Sequence, residues 1–539
     1  MKRMVSLLLA LMMLLGATAA FAQPANANPL SDVRVRQAMA YAIDMQAIID
    51  SLMAGKATVA SVMAPEGAWR ADGLNDYAYD PDKARALLAE AAWDANRELD
   101  CVYYYGDQMT VDLLTAIQAY FADVGIKMNF RKLEGDLASQ LWVPPADPVN
   151  GPSAVKWDLA YAAVAALSMG DYYDRYRTGA SSNSYNPSDP ALDALIDATN
   201  STGDVQAQIA AYHALERYEN ENEINLPLYH QPVFVVQSKK LDRAGAPYGN
   251  EQYTYNWNIV NWDIEPGADG RKVLHTNGGP AEFFETPFFN PGFLMSQKVL
   301  FDRLIVADEN LSPLTGGLAS DYRLSEDGLT FETTLRDGVK WHDGEPITAE
   351  DVRFTVELAT KVQTNPVILT TFKALEGYEA YASGAAEHIE GISIDGNKLT
   401  FRFARVNPNI LLTFTQFAPM PQKYFENVDP ALFQQAEFWQ FPIGSGPFKL
   451  SEVKMNEYAV YVPFEDYYGG RAKIDELRMY PSGESDLNLV KNCAAGQVDY
   501  AYTKSVEDVL AIEAMDHMQV TPVNVRYTRL MYVNKFPRQ

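Results

Sequence analysis

Cysteine and histidine are scarce in this chain: two cysteines, Cys101 and Cys493, and six histidines among 539 residues. A disulfide scaffold is thereby excluded, and two thiols cannot build a four-thiolate zinc centre. Whether the two cysteines pair is a question of geometry, open at the level of sequence. No HExxH motif, no histidine pair at helical metal spacing, no GxSxG elbow and no Walker A loop occurs. Metalloprotease, α/β-hydrolase and P-loop nucleotide chemistry therefore lack their core residues. Positive charge is also short, 44 Lys and Arg against 70 Asp and Glu, a net charge of −26. Such a surface repels phosphate backbones and anionic membranes, so no nucleic-acid partner is expected. Carboxylates are too numerous for any pair to stand out as a glycosidase couple.

Long apolar runs are missing except at the start. Met1-Lys2-Arg3 precedes an apolar stretch over residues 4–15 and a small-residue segment ending Ala20-Phe21-Ala22. A basic start, a short apolar region and an A-x-A site are the marks of a secretory signal peptide, with cleavage expected after Ala22. The run falls short of the roughly 20 residues that a membrane-spanning helix needs. No cysteine follows the site, so no lipoprotein anchor is expected there. The mature chain is expected to be exported and soluble.

What is present is an ordinary globular composition, 47% hydrophobic with 33 Gly and 30 Pro, long enough for about three domains at roughly 100–200 residues each. Apolar residues at three- and four-residue steps predict a helix over residues 31–54 with Ser31 or Asp32 as cap. Asp80-Pro81 opens another helix; further helices are expected over 110–124, 189–200 and 204–219. Strands are expected over 102–105, 126–130 and 159–164. Strands alternating with helices argue for an α/β lobe. The Glu-Pro-Gly-Ala-Asp-Gly-Arg stretch at 265–271 reads as a linker. Beyond it Asp-Gly pairs at 327–328, 337–338, 343–344 and 395–396 punctuate β-rich runs. Thr348 with Asp351 predicts a capping box, and helices are expected near Ser485 and Ser505.

Aromatics are abundant, with 31 Tyr, 24 Phe and 8 Trp, and rings with polar edges suit both cores and ligand clefts. His342, in Trp341-His342-Asp343-Gly344, is expected to be a structural turn residue. Gly444-Ser445-Gly446-Pro447 lacks the lysine and helix start of a phosphate loop. Nothing in the chain demands an enzyme or a cofactor.

Residues 318–352, passing through Trp341-His342-Asp343-Gly344 to Thr348-Ala349-Glu350-Asp351-Val352, resemble the signature of family 5 extracellular solute-binding proteins, the peptide- and nickel-type receptors of ABC importers. Gly444-Ser445-Gly446-Pro447-Phe448, Asp32-Val33-Arg34-Val35-Arg36-Gln37-Ala38 and Tyr79-Asp80-Pro81-Asp82-Lys83-Ala84 resemble the same family. Their order is reversed: the family's later half stands first here, over 28–264, and its earlier half follows over 268–539. The sequence thus resembles a circular permutant, with Leu530-Met531-Tyr532-Val533-Asn534 looking like the hinge strand that ordinarily runs into Asn28-Pro29-Leu30-Ser31-Asp32.

The resemblance implies an α/β fold of the type II periplasmic-binding-protein kind, two lobes with a hinge plus an accessory subdomain, in circularly permuted order. After the signal peptide (1–22), residues 23–235 would form one lobe, 236–310 with the linker 265–271 the first part of the other, 311–440 the accessory subdomain, and 441–539 the rest, ending at the hinge. The chain ends would fall at the hinge, cut one covalent crossing and loosen closure. The implied function is a periplasmic receptor, expected to be monomeric and not an enzyme. It would capture a peptide or peptide-like ligand and deliver it to ABC importer permease subunits; an oligosaccharide ligand or an exported hydrolase are the alternatives. In the family's peptide receptors an acidic residue meets the ligand amine; its position falls here on Leu167 or Ser168, neither of them acidic. The ligand-binding candidates are Ser168, Asp171, Tyr172 and Tyr173, with Trp142 as a stacking wall and no metal.

Overall fold

The computed structural model describes residues 28–249, 258–279, 284–288, 295–481 and 488–538. The expected signal peptide and the helix start near Ser485 lie outside these residues.

Much of the acid excess is spent at helix starts. Asp32, Asp44, Asp80, Asp107, Asp136, Asp189 and Asp204 each accept a hydrogen bond from a first-turn backbone N–H of the helix that follows, satisfying donors that otherwise face water. The same chemistry divides the helix expected over 31–54. Ile43 is extended and Asp44 caps a new start, so the segment folds as Val33–Ala42 and Met45–Leu52.

Two large sheets organise the chain. The first is six-stranded, in the order Thr58–Val59, Leu226–His230, Tyr527–Val533, Leu159–Ala165, Glu98–Tyr103, Lys127–Lys132. Its last three strands are parallel, while Tyr527–Val533 runs antiparallel to both neighbours. Helices cover both faces, one over Leu99, Leu114, Ile117 and Met531, the other over Trp157, Tyr173, Tyr185 and Leu530. The second sheet is seven-stranded, with Val273–Gly279 near its centre and Val233–Ser238 and Met518–Val523 at one edge. Cys101 and Cys493 are buried and no disulfide joins them, one lying in the first sheet and the other in the helix Leu489–Ala494 against the second.

A four-stranded antiparallel sheet, Ala319–Leu324, Thr330–Leu335, Lys398–Arg402 and Ile392–Asp395, lies within 311–440. It carries the Asp-Gly turns at 327–328 and 395–396 as hairpins, and Thr348 with Asp351 forms the capping box. It is not a separate body. One continuous apolar cluster runs from Leu274 and Leu477 of the second sheet through Phe301 and Trp439 to Phe331 and Phe401.

The family-like motifs sit inside this body. His342 Nε2–H donates to the Gly446 carbonyl at 3.0 Å, while its Nδ1 accepts from the Gly444 N–H at 3.1 Å. Burial lowers its pKa to about 4, so the ring is neutral at pH 7. A Cβ on Gly444 would lie 1.9 Å from the Leu300 carbonyl oxygen, and one on Gly446 2.2 Å from that of Val299. Only glycine admits this approach. The histidine is structural.

Among the described residues, two segments cross between the sheets. One runs from His230 into Val233, the other from Val523 to Tyr527. The expected ending of 441–539 at the hinge is therefore corrected: residues 527–533 pass the hinge and pair within the first sheet. The hinge reading rested on the resemblance of residues 530–534 to the family's hinge strand, whereas both neighbours of this stretch are first-sheet strands. The two described ends meet inside the first lobe, where the Asn28 side-chain amide donates to the Asn534 and Phe536 carbonyls at 2.7 and 2.9 Å. The expected loosening of closure rested on an end at the hinge, and the two described ends lie together in the first lobe instead.

Candidate functional site

Parallel strands direct their carboxyl ends to one edge of a sheet, and crevices form where neighbouring strands feed connections to different sides. In the first sheet that place lies between Glu98–Tyr103 and Leu159–Ala165. The ladder joining them covers only Cys101 with Leu159 and Val102 with Ala160. Past Ala160 the chain still pairs with Tyr527–Val533 on its other side, Ala163 opposite Arg529 and Ala165 opposite Tyr527. Residues 161–165 therefore offer an edge on which no strand lies among the described residues. Ala163 is half-buried against the apolar cluster of the opposite lobe, and Ala165 is exposed. Tyr104 and Tyr105, which follow the shortened neighbour, flank the opening with ring centroids 4.4 Å apart.

The opposite lobe closes on this crevice. Leu167, 1% exposed, packs with Leu311 and Val367. Gln231 donates to the Lys504 carbonyl at 3.0 Å, Lys56 pairs with Glu513 at 2.8 Å, and the Lys504 ammonium lies 4.1 Å from the Tyr527 ring centre. Beside Leu167 a cavity of about 320 Å³ separates Ser168, Asp171 and Asp174 from Val367, Arg405 and Asn407.

The five expected site residues divide. Ser168 and Asp171 line this cavity. Asp171 is occupied locally, its Oδ2 accepting from the Leu167 and Ser168 N–H groups at 2.9 Å each. Burial raises its carboxyl pKa against those hydrogen bonds. Asp174, which the sequence reading passed over, shares the cavity, and its carboxyl is pushed up to about 6 by burial. Tyr172 and Tyr173 turn inward and are corrected as cleft residues. Both are fully buried, Tyr172 accepting from the Thr528 hydroxyl at 3.3 Å and Tyr173 donating to Glu219 Oε2 at 3.1 Å. They occupy the single turn Gly170–Tyr173, whose inner face packs on the helix Val205–Asn222. Trp142 stands edge-on to Tyr185 and Tyr532, 6.5 and 5.0 Å away, as packing rather than a wall of the cavity.

Sequence reasoning missed two arginines. Arg526 at the crossing donates to the Leu167 carbonyl at 2.7 Å. Arg529 shares a strand face with Tyr527, Met531 and Val533. Its guanidinium lies 4.1, 5.3 and 5.8 Å from the ring centres of Tyr105, Tyr527 and Tyr161. A charged residue at an inward position of an apolar strand was the available signal. Among the described residues no group of three or more His, Cys, Asp or Glu side chains is placed to hold a metal ion, and no helix is long and apolar enough to cross a membrane.

A family model for bacterial extracellular solute-binding proteins, family 5, matches residues 15–202 and 313–536. A Brucella ovis protein, provisionally named an ABC transporter peptide-binding protein, is 26% identical over 208 residues, 38% of this chain and 36% of that protein. The Escherichia coli dipeptide-binding protein is 25% identical over 252 residues, 43% of this chain and 45% of that one. The Bacillus subtilis oligopeptide-binding protein AppA, solved with a nonapeptide, superposes with a TM-score of 0.38 at 23% identity, covering 46% of each chain. The chain thus spans less than half the length of the curated relatives it matches. The two matched blocks take in most of the chain, from the aspartate-capped helices of the first lobe to the histidine–glycine latch and the strand Tyr527–Val533, and the protein belongs to the family 5 bacterial extracellular solute-binding proteins.

Proposed function

We propose that this protein is an extracytoplasmic receptor that captures a peptide or peptide-like solute between its two lobes and presents it to the permease subunits of an ABC importer. The observation that carries this reading is the unpaired edge over residues 161–165, set in a crevice between bodies joined by two crossing segments. An extended backbone can add to such an edge as a further strand, main-chain hydrogen bonds giving affinity and neighbouring pockets selecting side chains. The names of the relatives, dipeptide- and oligopeptide-binding proteins, point the same way. Tyr104 and Tyr105 at the mouth favour one second reading, an oligosaccharide stacked on their rings.

The domain order supports a permuted chain: residues 28–230 and 527–533 share a sheet although they stand at opposite ends of the sequence. Matches that stop at under half of both chains are what reversed halves yield in an order-preserving alignment.

A thermal-shift screen with di- to pentapeptides and with oligosaccharides tests the function. A ligand at 100 times its Kd stabilises the protein by about 2.7 kcal/mol. Stabilisation by peptides alone is expected; stabilisation by sugars alone transfers the function to the second reading, and turnover of a stabilising ligand refutes both.

A further inference from the structure

Arg529 is 8% exposed, yet no carboxylate forms an ion pair with it among the described residues. Its Nε–H donates to Gln231 Oε1 at 3.2 Å, and its Nη1 has no hydrogen-bond partner. The groups that face it are four tyrosines, Tyr105, Tyr161, Tyr229 and Tyr527. The Tyr161 and Tyr229 hydroxyls hydrogen-bond each other at 3.0 Å. Aromatic faces attract a cation but offer no countercharge. A buried guanidinium is costly unless an anion completes it, and its planar fork suits a carboxylate. Arg529 pairs with Ala163 in the middle of the open edge, and the ring closest to it, Tyr105, follows the shortened neighbouring strand, so the cation stands beside the crevice. The position where the family's peptide receptors carry an acid for the ligand amine falls here on Leu167 or Ser168, and the nearby Asp171 already accepts two backbone N–H groups on its Oδ2.

We propose that Arg529 is the anchor of the cleft. The protein selects its solute by a carboxylate seated on this arginine and does not require a free amine, so that N-blocked peptides and related amine-lacking carboxylates are ligands. The inference rests on the solute-receptor reading and names the chemical class that the site accepts.

The test uses the full mature chain with individual di- to pentapeptides, each as the free form, the N-acetylated form and the C-terminal amide, together with succinate and glutarate. Calorimetry is expected to give Kd values for free and acetylated forms within about threefold of each other and at least tenfold weaker binding of the amide. Arg529→Gln brings the free form down to the level of the amide, while Arg529→Lys keeps part of the preference because the charge remains. Should Arg529→Gln fail to fold, the acid-to-amide ratio of the wild type decides alone. An amide that binds as tightly as the acid overturns the anchor while leaving a peptide receptor intact. If no peptide binds but succinate or glutarate stabilises the wild type and not Arg529→Gln, the peptide reading falls and the anchor stands. If no carboxylate stabilises the wild type more than the variant, the anchor is refuted.

Discussion

Glu219 gives a measurable handle on the first lobe. It is 1% exposed on the helix Val205–Asn222, its Oε2 accepting from Tyr173 at 3.1 Å and its Oε1 from Tyr176 at 3.4 Å. The Met63 N–H also reaches Oε2, at 3.4 Å. Burial outweighs these donors and pushes the carboxyl from the ordinary 4.5 up to about 7. With the folded value above the unfolded one, the native state binds more protons between these limits. Stability is then fully present below the unfolded pKa and is lost as pH rises toward 7 and beyond. A shift of this size corresponds to roughly 3 kcal/mol at about 1.4 kcal/mol per pKa unit, or about 6–12 °C in Tm for a lobe of this size. Glu219→Gln removes the titration while keeping the shape and the acceptor. Scanning calorimetry at pH 5 and pH 8 is expected to show near-equal first-lobe transitions at pH 5 and a clearly higher one for the variant at pH 8. Wild-type and variant Tm profiles that stay parallel across this range would refute the assignment.

Four further outcomes are expected. Gly446→Ala places a Cβ against the Val299 carbonyl at 2.2 Å, a backbone-to-backbone clash that should lower the second-lobe transition by about 3 kcal/mol or more; denaturant titration reads it, and a loss below 1 kcal/mol contradicts the latch. Leu167→Ala opens the contact with Leu311 and Val367, and small-angle scattering should show a larger mean radius without loss of helical circular dichroism. Asp171→Ala frees the Leu167 and Ser168 N–H groups and should cost about 1–2 kcal/mol through the turn, weakening ligand affinity only through the position of Leu167; unchanged calorimetric affinity with an unchanged melting point removes the residue from the site. A chain rejoined from residue 538 to residue 28 and reopened within 265–271 is expected to keep the wild-type Tm and ligand affinity, whereas failure to fold counts against the permuted order.

Local chemistry was readable where a single residue type decides the outcome. Asp80-Pro81 and Asp189-Pro190 mark helix starts because a short carboxylate reaches the free N–H groups and proline fits the first turn. Asp-Gly pairs mark hairpins because glycine accepts positive φ, as at Gly328 and Gly396. What escaped depends on partners far away in sequence. Tyr527–Val533 looks like any apolar strand until Leu159–Ala165 and Leu226–His230 flank it. Tyr172 and Tyr173 look equivalent to ligand-facing aromatics until distant residues claim their hydroxyls, Thr528 that of Tyr172 and Glu216 with Glu219 that of Tyr173. The open edge at 161–165 has no sequence mark at all, since it arises from a neighbour that stops too soon.

The meeting of Asn28 with Asn534 and Phe536 has a practical reach. A fluorophore or fusion partner attached at residue 538 rides on the same rigid half as one attached near residue 28, so a pair of probes at the two ends stays silent however widely the jaws swing. A reporter of swing must place one probe there and its mate on the far half, for instance in the 265–271 segment.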